Sequence, residues 1–282
     1  MSSPNYMKLL EWIPMDKVDW ESLSSNRNAI HILEQNLGKV HWKGLSSNVN
    51  AIHMLETNLD KICWTALSNN QNAIPILEQN VDNIDWYWLS RNPNALPIME
   101  QHVDDIDWDL LSSNRNALPI LEKNMDEIDW SELSRNPNPN VIQMLEKNLN
   151  LVDWTTLSEN PSAIHILEKH VDNVDWCSLS RNLNGINLLE KHLDYIRNDN
   201  NSWIELSGNP NAIHILEQNL DKVHWGVLSG NPNAIPILEK NMDKIQWDWL
   251  SSNPNAIHLL KANLDKVDWC SLSSNLNIFT HD

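Results

Sequence analysis

Eleven histidines, three cysteines and a recurring glutamate are the residues of this 282-residue chain that could do chemistry. Their spacing decides which chemistry is open to them. His31, His53, His165, His214 and His258 each fill one recurring position, where sister segments carry Pro75, Pro97, Pro119 or Pro236. A metal ion would need several such rings at about 2 Å, whereas neighbours one repeat apart stand about 10 Å from each other, the width of a helix. No metal site is expected. Cys63, Cys177 and Cys270 lie far apart, in no metal-ligand spacing, and so sparse a set fits a reducing compartment. Glu34, Glu56, Glu78, Glu100, Glu122, Glu146, Glu168, Glu190, Glu217 and Glu239 form a column ended by Lys261. Such an acidic ridge is either a solvated helix face, partly neutralised by Lys123, Lys147, Lys169, Lys191 and Lys240, or a rail for a basic partner. There is no nucleophile elbow, phosphate loop or paired-His zinc motif, and none of the six glycines builds a phosphate cradle. The chain reads as a non-enzyme without a cofactor.

What positions these columns is a repeat. Fifteen Trp stand against three Tyr and one Phe, a bias that no ordinary core shows. Trp20, Trp42, Trp64, Trp86, Trp108 and Trp130 are 22 residues apart; Trp154 follows after 24, Trp176 after 22, Trp203 after 27, and Trp225, Trp247 and Trp269 resume the 22-residue step. The long steps contain insertions, one around Pro139 and one from Tyr195 to Ser202. Each of the twelve copies has Leu three residues after its Trp, then Ser, and Asn six after it, from Asn26 to Asn275. A fixed period of this length means a stacked array.

The segment NAIHILE, Asn28 to Glu34, puts Ile30, Leu33 and Leu37 at helical spacing, with Ala29 and Ile32 widening the stripe. Pro75, Pro97, Pro119 and Pro236 fall three residues after an Asn read as the helix N-cap, inside a first turn where a missing N–H costs nothing. Asn36, His102, His170 and His192 suit a left-handed closing residue. The second element, LDKVDWxxLS, is read as one shorter helix, partly 3-10, with Asp60 as its cap and Leu59 stapled onto Trp64. Asp85, Asp107, Asp129, Asp153, Asp175 and Asp268 add a second carboxylate near its start. The fold class is therefore all-α, an α-solenoid of about twelve 22-residue two-helix repeats. The Trp column could stack bases or sugars, but its register with Leu assigns it to the core. The Asn column (Asn48, Asn92, Asn231, Asn253) is read as a ladder that satisfies backbone groups. Twelve copies at about 10 Å each make an open-ended rod or arc of about 110–120 Å.

The expected organisation is an N-terminal cap at 1–19, an array over 20–194, a degenerate insertion at 195–202 and an array over 203–282 with a truncated last copy, all within one solenoid domain. The insertion is read as a bulging loop or a bend between sub-arrays. The least templated positions are one, two and five after the Trp. Tyr87, Trp88, Leu110, Ile204, Val227 and Trp249 would then be exposed apolar residues on the short-helix face, the side of a solenoid that varies to meet partners.

Net charge is −18 with a pI near 4.9, which argues against nucleic acid and against anionic lipid, and leaves proteins, basic ones included, as partners. No stretch approaches a membrane span, and the start MSSPNYMKLLEWIP has neither a basic leader nor a long apolar core. A cytoplasmic protein is expected.

LSSNPNAIHLLKANLDKVDW and LSRNPNALPIMEQHVDDIDW resemble the short Trp/Leu/Asn repeats of giant, mimivirus-like DNA viruses. The likeness covers Trp20 to Asn277 and implies a viral protein in the cytoplasm or virus factory of an infected cell, with no activity attached. LSxNPNxxP is similar to the leucine-rich variant repeat, a solenoid alternating α and 3-10 helices, from which the Trp and the LDKVD stretch depart. Three functions follow: a non-enzymatic scaffold for protein–protein interaction, a self-assembling virion or filament protein whose truncated last copy leaves an unfilled end, or an acidic nucleic-acid mimic that occupies a basic protein.

Overall fold

The computed structural model describes residues 7–281. It is an all-α solenoid whose repeat contains two α-helices and, in most copies, a 3-10 turn. In the first copy the helices are Trp20–Ser25 and Ile30–Glu34, followed by the turn Leu37–Lys39. The chain divides into two compact units, Met1–Asn92 with Ile245–Asp282, and Pro93–Lys244. The 195–202 insertion lies inside the second unit. In each unit six Trp-bearing helices, here called first helices, stack one on the next.

In every copy but that of Trp203 the first helix starts at the Trp itself. The residue before it is the N-cap: Asp19 accepts from Ser22 N at 2.7 Å, and Asp107 from Leu110 N at 2.9 Å. Aspartate suits this place because its carboxylate satisfies an orphan N–H and meets the positive end of the helix. His41 and His224 do the same through Nδ1. The reading of LDKVDWxxLS as one helix is thereby corrected. Asp60 lies within the 3-10 turn Leu59–Lys61, and Ile62 is extended (φ −64°, ψ 133°) before the new helix begins at Trp64. The Asn caps are corrected in most copies: the N-cap of the second helix is Ala, as at Ala73 and Ala95, with Pro in the first turn just after it, whereas Gly185 takes the place in one copy and Asn138 caps the lengthened helix by accepting from Asn140 N. The Asn before that Ala instead closes the preceding bend, since Asn72 N donates to Asn70 Oδ1 at 3.1 Å. No described residue has a positive φ. Asn36, at φ −133° and ψ 43°, ends its helix by donating its side-chain amide to Ile32 O.

The core of a layer is Leu23, Ala29, Ile32 and Leu33, joined by Val40. Leu37 was expected on this stripe but is 49% exposed. The helix stops at Glu34, so the helical register does not reach Leu37. The turn rolls it outward, and Val40 takes the inner place. The Trp column is corrected likewise. Only Trp203 is buried; the other eleven repeat Trp are half-buried. Their outer faces are covered, where a suitable side chain exists, by the turn that follows. Lys39 Nζ sits 4.8 Å above the Trp20 ring, Lys61 Nζ 4.7 Å above Trp42, and Tyr195 stacks on Trp176 at 4.6 Å.

Layers are joined by two polar ladders buried with the leucines. Ser24 Oγ donates to Trp20 O and accepts from His41 N of the next layer, at 2.7 and 2.9 Å. Asn48 Nδ2 reaches back to Ser24 O and Asn26 O, both at 3.0 Å. One amide thus satisfies two carbonyls at the end of the preceding helix, the groups that a helix terminus leaves orphaned. Among the described residues no buried side-chain nitrogen or oxygen lacks a partner. The Asn column is the backbone ladder expected from its register.

Both insertions keep the Asn ladder, but the second replaces one rung of the Ser ladder: Ser202 N donates to Asp199 Oδ2 at 3.2 Å and not to Ser180 Oγ. Around Pro139 the second helix lengthens to Pro139–Lys147, and Asp153 N still meets Ser134 Oγ at 3.1 Å. The second insertion, read as a loop or bend, adds a turn to the first helix, Asn200–Gly208, and buries Ile196 and Trp203. Asn209 Nδ2 still reaches Ser180 O and Asn182 O, at 3.0 and 3.1 Å.

The open-ended array is also corrected. In the first unit, strand β1 (Met7–Leu9) pairs antiparallel with β2 (Phe279–His281), Met7 opposite His281. The first helix Trp269–Ser274 packs directly on Trp20–Ser25. The face expected to be unfilled after the last copy is covered by the first copy.

Candidate interaction surface

The six residues expected on the variable face all fall on first helices, but within neither unit do they form one patch. Tyr87 and Trp249 are about half exposed, at 52% and 50%; Trp88, Leu110, Ile204 and Val227 are half-buried. Positions two after the Trp rest against the preceding layer. A Cβ on Gly208 would lie 3.0 Å from Val227 Cγ1, and one on Gly44 would lie 2.8 Å from Ser25 Oγ. Thr156 Oγ1 donates to Ser131 O of the layer before it. Tyr87 and Trp88 pack edge to face at 5.3 Å. Trp249 sits at the opposite end of the first unit, with the layers of Trp269, Trp20, Trp42 and Trp64 between. Ile204 and Val227 occupy neighbouring layers of the second unit, and Leu110 lies further along it.

The same face carries an ion network in the second unit. Arg181 donates from Nη2 to Glu205 Oε1 at 2.6 Å and from Nη1 to Glu159 Oε1 at 3.1 Å, so one guanidinium ties three successive layers. Its hydrogen bonds to Glu205 and Glu159 raise its own pKa, and the bond from Arg181 holds the Glu205 carboxyl below its usual value. Nearby, burial and the charge of Asp199 push the Cys177 thiol up, away from the reactive thiolate.

The ten glutamates of the ridge are all exposed. Several are bridged by the next layer: His53 Nε2 lies 2.7 Å from Glu34, His165 Nε2 3.0 Å and Lys169 Nζ 3.4 Å from Glu146, and Lys123 Nζ 3.8 Å from Glu100. The histidine column thus faces carboxylates of the neighbouring layer. Among the described residues no three His, Cys, Asp or Glu converge as metal ligands.

One surface feature escaped the sequence reading. In most copies the residue that opens the turn ahead of a first helix is aliphatic and faces solvent: Met15 41%, Leu37 49%, Leu59 45%, Val103 37%, Met125 43%, Leu220 39%, Met242 37% and Leu264 46% exposed. The next residue is almost always an exposed aspartate, as at Asp60, Asp104, Asp126, Asp221 and Asp265. An apolar column therefore runs beside an acidic one. The signal was present in the Asn or His that ends each second helix, because a stripe cannot continue in helical register past a helix end.

No family model, curated protein or solved structure matches this chain. No helix among the described residues is long and apolar enough to cross a membrane.

Proposed function

We propose that the chain is a non-enzymatic scaffold that binds a protein through these turns. The observation that carries this reading is the paired column of exposed aliphatic and aspartate side chains, repeated from layer to layer. Isolated surface leucines need no explanation, but an exposed apolar residue that recurs at one position of most layers points to a contact surface. The aspartates set its specificity: with a net charge of −18, the face suits a segment in which Lys or Arg alternates with apolar residues. The likeness to giant-virus repeats favours the cytoplasm of an infected cell as the setting for such a scaffold.

The test is affinity capture from cytosol with two sets of variants whose helical content matches the parent. Leu37→Ser, Leu59→Ser and Leu264→Ser together lower recovery of the captured partner about tenfold, the effect of losing about 1.4 kcal/mol of contact energy, and added salt weakens what remains. Recovery that is unchanged in this set but lost in Tyr87→Ala with Trp249→Ala would move the site to the first-helix face.

A further inference from the structure

The joint between the last and first copies is built from the same bonds as the joints within the chain. Asp19 N donates to Ser273 Oγ at 2.9 Å, as His41 N does to Ser24 Oγ. Asn26 Nδ2 donates to Ser273 O and Asn275 O, at 3.1 and 3.2 Å, as Asn48 does to Ser24 O and Asn26 O. Asn28 Nδ2 donates to Leu276 O at 3.0 Å, as Asn50 does to Arg27 O at 2.9 Å. The two ends are thus complementary, non-identical surfaces. At every other joint the chain passes directly from one layer into the next. Here the partners are about 250 residues apart, as in Asp19 and Ser273 with a separation of 254. What this joint has in addition is a clasp: β1 on β2, Leu10 N on Ile278 O at 2.8 Å, and Trp12 6.5 Å from Trp269.

We infer that this joint can exchange, so that the Trp269 end of one chain seats on the Trp20 end of a second copy and links chains head to tail. The recognising chemistry lies wholly in the ladder bonds and the leucines beneath them, and nothing in it distinguishes an end of the same chain from an end of another. A pair of surfaces that are complementary but not identical makes a heterologous contact, the kind that propagates from copy to copy. The clasp and the tether favour the chain's own end by raising its effective concentration. Exchange therefore rises with protein concentration and when the clasp is weakened.

The geometry supplies its own probe. Ser22 Oγ lies 3.7 Å from Cys270 Sγ across the joint, so Ser22→Cys places two thiols within reach of a disulfide. Cys63→Ser and Cys177→Ser remove the other thiols. Oxidation of the folded variant at low concentration should give a monomer with an internal disulfide between the thiol introduced at position 22 and Cys270. A chain carrying Ser22→Cys and Cys270→Ser is then mixed with one that keeps Ser22 and Cys270. The mixture is unfolded in urea, refolded at about millimolar concentration, where intermolecular pairing competes with a tether, and oxidised. The expected result is a disulfide between the two kinds of chain at yields at least tenfold above Cys270–Cys270 adducts, rising further with Phe279→Asp in the clasp. Absence of the mixed disulfide in both backgrounds, or equal yields of Cys270–Cys270 adducts, would overturn exchange. Absence of the internal bond at low concentration would overturn the joint itself.

Discussion

The layers of Trp42 and Trp203 perform the same structural task with different indoles. Trp42 is half-buried beneath Lys61. Trp203 is 4% exposed, and its Nε1 donates to Ile196 O at 3.0 Å, under the turn that the insertion adds. Yet Asn48 and Asn209 make the same pair of bonds to the preceding layer. Stacking in both layers is thus set by the Leu and Asn at three and six residues after the Trp. The Ser bond to the preceding layer is absent at Trp203, where Ser202 N turns to Asp199. The indole closes the gap between layer and turn in whatever depth the turn allows.

The largest expected effect breaks this comparison at the indoles. Trp203→Ala removes a buried ring and its hydrogen bond and should cost about 3–5 kcal/mol. Trp42→Ala, at a half-buried site where the ring makes no buried hydrogen bond like that of Trp203, should cost about 1–2 kcal/mol, within the ordinary range for point substitutions. Urea denaturation of the two variants measures the gap; equal losses would return the whole column to the core. Next in size, Asn48→Ala and Asn209→Ala each strand two carbonyls and should each cost about 1–3 kcal/mol. Because the bonds are alike, the two losses should agree to about 0.5 kcal/mol; a clear difference would mean that the insertion changes how layers are joined. The smallest effect concerns pH. The folded state lowers the Glu205 pKa from 4.5, so its pairing with Arg181 contributes above about pH 4.5 and is lost as pH falls through the depressed value. Arg181→Met should therefore flatten the loss of stability between about pH 5 and pH 3, by a modest amount because the side chains are partly solvated.

Much of the repeat was legible because its constraints are local or periodic. Leu23 recurs at a fixed place after each Trp, Ala29 and Leu33 stand one helical turn apart, and all three are fully buried, and the Asn column recurs in the same register as the joint it bonds. The boundaries within a repeat were less legible. Asp60 and Asp85 are both acidic residues before a short helix, and only the backbone separates the one inside a 3-10 turn from the one that caps. Leu37 and Leu59 were misplaced for the same reason: apolar identity invites burial, but the turn decides the direction. The variable residue Val227 shows a further limit, since its side chain leans on Gly208 of the preceding layer, a neighbour about one repeat back whose small size lets it do so.

Period, helical class, the acidic exterior and the identity of the stacking residues follow from the sequence alone, because they depend on spacings no longer than a single repeat. The meeting of Trp20 with Trp269, the outward roll of Leu37 and the depth of each indole belong to the tertiary structure. The turn geometry sets the direction of Leu37 and the depth of each indole, and the joint of Trp20 with Trp269 pairs residues about 250 apart in sequence, a separation that no spacing within a repeat encodes.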